Sequence, residues 1–134
     1  MWENNILKVV EERLRGTLNV IEFDGLPFVP KRLFYVKGVP KGEVRGGHAH
    51  YNNKQFLICV QGKIVATLFD GVDMTTIDMS PGKVVFIDKM IWDWQLFDSK
   101  DAIMLVFCSQ SYDPRDYIND IEEFKKEIAH GKKN

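Results

Sequence analysis

The stretch that decides the fold is residues 42–62, GEVRGGHAHYNNKQFLICVQG. Two histidines, His48 and His50, stand on either side of one alanine, and Gly46-Gly47 comes just before them. If this chain is extended, side chains alternate and both imidazoles project from one face of a strand. Two imidazoles on one wall suit proton transfer or metal binding, and the glycines permit a bulge or a close backbone approach. This stretch is therefore the candidate site, the alternative being two polar residues on a solvated strand.

Short strand-forming runs surround this stretch. From residue 17 onward, β-branched and aromatic residues alternate with turn residues, which is the pattern of an all-β sandwich or barrel. The turns Gln61-Gly62, Asp70-Gly71 and Ser80-Pro81-Gly82 predict an antiparallel meander over 55–87. We predict strands at 17–23, 31–37, 55–60, 63–69, 72–78, 83–87, 92–97 and 102–108.

Both ends of the chain carry helical patterns. Near the C-terminus, Asp113 can cap a helix that starts at Pro114, and apolar residues then recur at helical spacing. We therefore predict a helix over about 114–129. Residues 3–14 fit a helix by period, with a strand as the alternative.

Length and composition describe an ordinary globular chain. It has 134 residues, 45% of them hydrophobic and 28% charged, so we expect one domain spanning 1–134. The net charge of −1 argues against a nucleic-acid partner or an anionic membrane surface. Both cysteines, Cys59 and Cys108, lie inside apolar runs as free buried cysteines do, which fits a reduced, cytoplasmic protein.

Several function classes lack their usual signatures in this sequence. We find no secretory signal pattern and no apolar run long enough to span a membrane, so no membrane partner is expected. The glycine-rich dinucleotide and phosphate-loop motifs and the Gly-x-Ser-x-Gly pattern do not occur either. Dinucleotide redox chemistry, phosphate-loop chemistry and serine hydrolysis are therefore disfavoured.

The spacing around the histidine pair resembles the first motif of the cupin superfamily. Gly42, His48, His50, Gln55 and Gly62 follow that spacing. The motif usually has Glu where Gln55 stands. The second motif survives only as Pro81-Gly82, without its histidine. At most two of the four usual ligands are present, whereas zinc and iron sites need three or four. We therefore expect no metal and no cofactor.

A narrower resemblance covers nearly the whole chain. RGGHAH, QFLICVQGK, the early RGTLNVIE and the ending SYDPRDYINDIEEF look like the sugar 3,4-ketoisomerase family, which acts on nucleotide-linked 4-keto-6-deoxyhexoses. The resemblance implies a small antiparallel cupin barrel of jelly-roll type, here with the C-terminal helix. It also implies a homodimer that exchanges strands, a dTDP-linked sugar as substrate, and a place in deoxysugar biosynthesis such as that of lipopolysaccharide O-antigen.

The chemistry of that family fits the histidines. Moving a ketone from C4 to C3 takes the proton from C3, passes through an enediol and returns a proton at C4. Histidine suits these steps because its ordinary pKa of about 6.5 lets it act as base and then as acid. By resemblance we assign His50 as the base and His48 as its partner or as a hydrogen-bond donor to the ketone oxygen. Tyr35 is the family-like candidate for moving a proton between O3 and O4, the alternative being a core aromatic.

The resemblance also implies substrate-binding residues. Arg45 and Arg15 occupy the two Arg-Gly motifs, and guanidinium groups bind diphosphates in a bidentate way. Arg15 has a surface role beside a glycine turn as its alternative. We expect Trp92 to stack on the nucleotide or sugar, with core packing as the alternative. Gln55 completes the expected binding set.

Two other functions remain open at this level. A related cupin sugar epimerase also removes a proton beside a ketone but usually relies on a His-Asp pair, and spacing places no Asp beside His48 or His50. A carbohydrate-binding cupin without catalysis would need the pocket but not the base.

Overall fold

The computed structural model describes residues 3–4 and 7–132. About half of the described residues are in strands, and the single α-helix among them, α1 (Ile121–Lys132), lies at the C-terminal end. The eight predicted strands are all confirmed, with small shifts at their ends. The strands are β1 (Glu3–Asn4), β2 (Leu7–Glu12), β3 (Gly16–Ile21), β4 (Arg32–Val36), β5 (Val44–His50), β6 (Gln55–Gln61), β7 (Ile64–Phe69), β8 (Met74–Met79), β9 (Val84–Ile87), β10 (Trp92–Phe97), β11 (Ile103–Cys108) and β12 (Tyr117–Ile118).

The strands form two five-stranded sheets and a separate hairpin. The first sheet has the order β1-β9-β6-β11-β4, and the second has the order β12-β5-β10-β7-β8. β2 and β3 pair with each other as a two-stranded sheet. All the pairings are antiparallel, in the manner expected of a cupin-like, jelly-roll arrangement.

The main hydrophobic core lies between the inner faces of the two sheets. Alternate residues of each strand point inward, so both sheets contribute side chains to a single cluster. The first sheet supplies Leu57 and Val106, and the second supplies Ala66 and Leu68, all of them buried. Apolar burial on this scale is the main favourable term that holds the two sheets together.

The predicted meander over 55–87 is wrong. β6 pairs with β9 and β11 in the first sheet, whereas β7 pairs with β8 and β10 in the second. Only β7 and β8 form the predicted hairpin. The chain crosses between sheets at Gly62, where a Cβ atom would lie 2.6 Å from the Cα of Ala102. Turn residues show where a chain reverses, but sheet membership depends on partners far along the sequence.

In the N-terminal segment 3–14, the described residues form β1, β2 and the start of a turn, so the helix that the period favours is wrong there and the strand alternative is confirmed. β2 and β3 alternate as a hairpin whose end near Leu7 and Ile21 packs on the first sheet. Much of the remaining apolar surface of this hairpin is exposed, including Val9, Val10 and Leu18. The strand is short and much of its apolar surface is not covered by another element. Its alternation of apolar and polar residues is therefore weak, which explains why the sequence pattern also fitted a helix.

The predicted helix over 114–129 is also corrected. The Asp113 carboxylate accepts a hydrogen bond from the backbone N–H of Arg115, but it caps only a 3₁₀ turn, Pro114–Asp116. The chain then forms β12 on the edge of β5, and α1 starts after Asp120, whose carboxylate accepts from the backbone N–H of Glu123. An Asp-Pro start signal fits either helix type, and pairing with β5 ends the turn early.

The helix covers the outer face of the second sheet. Phe124, fully buried, packs on Trp92 and Ala49, and Ile121 and Ile128 extend the contact. Within the described residues, no helix is long and apolar enough to cross a membrane. The sheet that carries the histidines is therefore covered on both of its faces.

Candidate active site

A bulge between β5 and β10 sets the direction of the histidines. Asp93 lies opposite His48, whereas the next residue, Trp94, lies opposite Gly46, so Gly47 is the extra residue of β5. Gly46 and Gly47 have φ of 89° and 80°, values that favour glycine. A Cβ at Gly46 would lie 3.0 Å from the carbonyl oxygen of Asp93. The glycine pair therefore makes the bulge and brings the two strands close together.

A cavity of about 370 Å³ opens between the sheets next to this bulge. Apolar side chains from β4, β6 and β11 form part of its wall. Its polar lining consists of Arg32, Arg45, His48, Gln55, Asp93, Gln95 and Tyr117. Such a mixture, an apolar wall with a few convergent polar groups, is typical of a small-molecule site.

His50 is paired with a carboxylate that sequence spacing does not reveal. Its Nδ1 lies 3.2 Å from Oδ2 of Asp116, and both side chains are buried. Asp116 also accepts hydrogen bonds from the backbone N–H groups of Asn52 and Asn53, at 2.9 and 3.1 Å. These donors hold the carboxylate in place, so it positions the imidazole in turn.

This pairing determines which nitrogen of His50 can act as a base. An Nδ1–H that donates to Asp116 leaves Nε2 as the unprotonated nitrogen, and Nε2 is buried without a hydrogen-bond partner. Burial lowers the pKa of His50 from its ordinary value; Asp116 opposes this shift and the charge of Arg32 adds to it. His50 is therefore neutral near pH 7, the form that a base requires.

The rings of His48 and Tyr117 pack against that of His50. The His50 ring centroid is 5.0 Å from that of His48 and 4.4 Å from that of Tyr117, and both of these residues line the cavity. Burial and the neighbouring His50 lower the pKa of His48 to about 4, partly offset by a hydrogen bond to the backbone of Gly46. His48 is thus a neutral imidazole that can donate or accept a hydrogen bond.

Asp93 is a buried acid on the same wall. Its side chain is 2% exposed, Nε2 of Gln95 donates a hydrogen bond to Oδ2, and Oδ1 has no partner. Burial raises the pKa of Asp93 to about 7, although the hydrogen bond from Gln95 acts in the opposite direction. A carboxyl group near pH 7 with a free oxygen is unusual outside functional sites.

The structure brings together some of the predicted site residues. His48, Arg45 and Gln55 line the cavity, and His50 lies against His48. Gln55 is buried, and its Nε2 lies 3.6 Å from the Sγ of Cys108. The structure thus brings the histidine pair, the arginine and the glutamine into one region of the molecule.

Tyr35 and Trp92 do not reach this cavity. Tyr35 lies between Phe34 and Val36 on β4; those two neighbours face the cavity, so Tyr35 faces outward and is 61% exposed. Trp92 precedes Asp93 on β10 and by the same alternation packs beneath α1, 5.8 Å from the ring of Phe124. The expectation that these side chains enter the site of their own chain is therefore corrected.

Arg15 also lies away from the cavity. It stands at the turn of the β2–β3 hairpin, where its guanidinium is 80% exposed and 3.5 Å from the carboxylate of Glu12. An exposed pair of this kind contributes little to stability. Arg15 therefore does not line the cavity of its own chain.

Five site residues were missed from the sequence: Arg32, Asp93, Gln95, Asp116 and Tyr117. Two of them left a local signal, because Asp93 and Gln95 alternate with Trp92 and Trp94 and so had to share one face. Asp116 had no such signal, since it is 66 residues from His50 in sequence.

The donor set does not match a cupin metal site. Gln55 occupies the place of the usual Glu, and an amide is a weaker ligand than a carboxylate. Among residues 3–4 and 7–132, no group of three or more His, Cys, Asp or Glu side chains is arranged to hold a metal ion. The wall is better equipped for acid–base chemistry.

Comparison with known proteins finds relatives over almost the whole chain. The model of the family described as FdtA: WxcM-like, C-terminal, matches residues 4–129. A TDP-4-oxo-6-deoxy-alpha-D-glucose-3,4-oxoisomerase from Aneurinibacillus thermoaerophilus is 35% identical over 128 residues, covering 93% of this chain and 90% of that protein.

Two solved structures are similar over almost the whole chain. The sugar 3,4-ketoisomerase QdtA from Thermoanaerobacterium thermosaccharolyticum, in complex with TDP, is 28% identical with a TM-score of 0.86 and covers 92% of this chain and 91% of its own. A 3,4-ketoisomerase from Helicobacter canadensis is 29% identical with a TM-score of 0.88, covering 95% and 97%.

Proposed function

Because the chain belongs to the FdtA family (WxcM-like, C-terminal), we propose that it moves the keto group of a TDP-4-keto-6-deoxyhexose from C4 to C3. TDP is the thymidine diphosphate written dTDP above. The protein is an isomerase, a 3,4-ketoisomerase, and its substrate is a nucleotide-linked sugar. We place it in the cytoplasm, in deoxysugar biosynthesis, with residues 1–134 acting as one domain.

The observation that carries this proposal is the His50–Asp116 pair. Asp116 accepts from Nδ1, Nε2 is free, and the ring is in contact with two residues of the cavity wall. A base with this tautomer and a lowered pKa suits removal of a proton next to a ketone near neutral pH. In the proposed reaction His50 takes the proton from C3 and returns it to C4 from the imidazolium.

His48 and the cavity arginines complete the proposed site. A neutral His48 supports the role of hydrogen-bond donor to a sugar oxygen, because its lowered pKa rules out an imidazolium near pH 7. Arg45 and Arg32 line the cavity and supply positive charge for a diphosphate. Gln55 adds an uncharged donor and acceptor. The sugar would then lie by His48 and the diphosphate by the arginines.

The proposed chemistry uses no metal. Two of the usual ligand positions are occupied by other residue types, and the remaining pair of imidazoles is engaged in hydrogen bonds and ring contacts. The enediol can form by proton transfer alone, because the ketone already makes the neighbouring C3 proton acidic.

We also propose that two copies associate through the β2–β3 hairpin. The hairpin pairs with no other described strand, and Val9, Val10 and Leu18 are 47%, 48% and 51% exposed. An apolar hairpin of this kind is suited to burial against a second copy. Exchange would carry Arg15 at its turn toward the partner's cavity, which would restore its expected role.

Light scattering tests the dimer. Light scattering during size-exclusion chromatography should give the wild-type protein twice the monomer mass. The Val10→Lys variant should give a mass closer to that of the monomer. A monomeric wild-type protein would contradict the association.

The His50–Asp116 pair also favours a second candidate, a nucleotide-sugar epimerase. Sequence spacing argued against that function because no Asp was placed to serve His48 or His50, and the structure corrects this point. Both reactions start by removing a proton next to the C4 ketone. They differ in whether the carbonyl group then moves.

NMR in deuterated water separates the candidates. With TDP-4-keto-6-deoxyglucose, the ketoisomerase should give a 3-keto product, and its formation should survive EDTA. Exchange at C3 and C5 without carbonyl migration would instead indicate an epimerase. Tight binding without exchange would indicate a binding module.

The base is tested by substitution with a matched control. His50→Asn should lower kcat/KM by roughly 10²–10⁴, the contribution of a positioned base. His130→Asn changes an exposed histidine on α1 and should leave turnover unchanged. Normal turnover by the His50 variant would contradict the assignment.

A further inference from the structure

We propose that Asp93, as a neutral carboxylic acid, carries the proton between O4 and O3 of the sugar. This inference rests on the proposed ketoisomerase function and deepens it. Each turnover must protonate the C4 oxygen and deprotonate the C3 oxygen, and one group that first gives and then takes a proton does both. Tyr35, the expected carrier, faces away from the cavity of its own chain.

The position of Asp93 is set by the bulge. It lies directly opposite His48 on the neighbouring strand, and both side chains line the cavity. Residues opposite each other in antiparallel strands have Cβ atoms about 4.5–5.5 Å apart, so a sugar that contacts His48 is within reach of Asp93. The close approach at Gly46 fixes this arrangement, since its missing Cβ leaves room for the Asp93 backbone.

The hydrogen bonds of Asp93 leave one oxygen for the substrate. Gln95 donates to Oδ2, which therefore acts as an acceptor, and Oδ1 is buried without a partner. Because Oδ2 accepts this hydrogen bond, the proton of the neutral acid is favoured on Oδ1. An unsatisfied buried oxygen costs about 1–3 kcal/mol, which a hydrogen bond to a bound sugar oxygen would offset.

The surroundings favour the neutral form. Burial is the main cause that raises the pKa of Asp93 to about 7. β7 has no ionisable residue, and β6 and β11 line the cavity with uncharged side chains. The ionisable groups that line the same cavity come from β5, β4 and β12: Arg45, His48, Arg32 and Tyr117, with His50 in contact with His48. The positive charge of the two arginines favours the carboxylate, but burial is the larger effect on Asp93.

The proton balance closes with these groups. His50 takes the C3 proton while the Oδ1–H of Asp93 protonates O4, which gives the enediol, an imidazolium and a carboxylate. The carboxylate then takes the proton from O3 while the imidazolium returns its proton to C4. The C4=O bond is replaced by C3=O, and both residues return to their starting forms. No oxidant, reductant or metal takes part.

The experiment compares the pH dependence of the wild type with Asp93→Asn. An amide can donate a hydrogen bond but cannot give up and regain a proton, so turnover should fall by roughly 10²–10⁴. TDP binding should be unchanged. In the wild type, kcat/KM should fall as the pH rises through about 7, because the carboxylate has lost the required proton.

A second variant tests the carrier without changing it. Gln95→Met removes the hydrogen bond that lowers the pKa of Asp93, so the alkaline fall in kcat/KM should move to higher pH. A merely structural role for Asp93 would not produce this shift. The measurement also stays informative if Asp93→Asn does not fold.

Two results would overturn the inference, and a third would overturn the proposed function on which it rests. Unchanged turnover in Asp93→Asn would exclude a proton carrier at this position. A second such result is an alkaline fall in kcat/KM that is unchanged in Gln95→Met and absent in Tyr117→Phe. That result would assign the proton transfer to the Tyr117 phenol. Failure of the wild type to make any 3-keto product would instead overturn the proposed function itself, which this inference presupposes.

Discussion

The two faces of the β5–β10 strand pair are both buried, yet they do different work. The inner face carries His48, Asp93 and Gln95 around a cavity. The outer face carries Ala49 and Trp92, which pack beneath α1. Neighbouring residues of one strand therefore belong either to the chemistry or to the packing, and the two-residue alternation of the backbone separates them.

The two faces differ in what burial does to them. On the outer face, burial of apolar side chains stabilises the fold. On the inner face, burial of polar groups opposes folding but shifts pKa values, raising that of Asp93 and lowering that of His48. The stability gained on the outer face thus offsets the free-energy cost of burying polar groups on the inner face. Substitutions on each face test this division.

The largest expected effect is that of Asp116→Asn, which removes the partner of His50 on the inner face. Loss of the carboxylate removes the group that orients His50, so kcat/KM should fall by roughly 10²–10⁴, measured by NMR of the keto product. Asn52→Ala, which deletes the side-chain donor 3.2 Å from the same carboxylate, is the control and should have a much smaller effect. Equal losses in the two variants would contradict the orienting role.

On the outer face, Trp92→Ala should unfold the protein more easily without altering the chemistry. Removing this buried ring from its contact with Phe124 should lower the free energy of unfolding by about 3–5 kcal/mol, measured by urea denaturation. Trp92→Phe should recover part of that stability. A loss of kcat/KM in the folded Trp92→Phe variant would break the separation between the faces.

Gly46→Ala tests the boundary between the faces. The new Cβ would lie 3.0 Å from backbone atoms of β10, and a non-glycine residue at this positive φ costs about 1–3 kcal/mol. Gly47→Ala has similar φ strain but nothing within 4 Å, so it is the matched control. Only the Gly46 variant should also lower turnover, since it displaces Asp93. Equal turnover in both would contradict this.

The pH dependence of stability should separate Asp93 from the apolar face. The folded pKa of Asp93 is about 7, above its ordinary value of 3.8, so the folded state holds a proton that the unfolded state releases. This contribution is full below about pH 4 and is lost as the pH rises through about 7. Between pH 5 and pH 8 the wild type should lose this contribution, whereas Asp93→Asn has no such proton to lose. The melting temperature of the variant should therefore rise relative to that of the wild type over this range. Parallel curves would contradict the shifted pKa.

The smallest effect is expected at Tyr35→Phe. Its hydroxyl is on an exposed residue outside the cavity, so kcat/KM and the melting temperature should match those of the wild type. A large loss of turnover would show that Tyr35 reaches a site after all, such as that of a second copy. The dimer variant Val10→Lys would then reproduce the loss.

Much of the fold followed from local patterns. The strand runs, the Gly46-Gly47 bulge and the common face of His48 and His50 all depend on backbone geometry over a few residues, and all are observed. The predicted start of the helix at Pro114 was wrong. The same capping residue can begin a 3₁₀ turn or an α-helix, and pairing with the distant strand β5 decided between them.

The site was predicted less completely than the fold. His48, Arg45 and Gln55 were identified and line the cavity, whereas Trp92 and Tyr35 were expected in the site and do not line it. Alternation tells which residues share a face but not which face is inside. That choice depends on the elements packed on either side.

By itself, the sequence determined which side chains stand together: the two histidines on one face of β5, and the alternating pairs of β10. The reason is that side-chain direction repeats every two residues in any strand. Only the tertiary structure decided that β6 and β7 belong to different sheets, that Asp116 meets His50 from 66 residues away, and that Asp93 is buried. Those outcomes depend on the packing of distant segments, and so do the pKa shifts on which the chemistry rests.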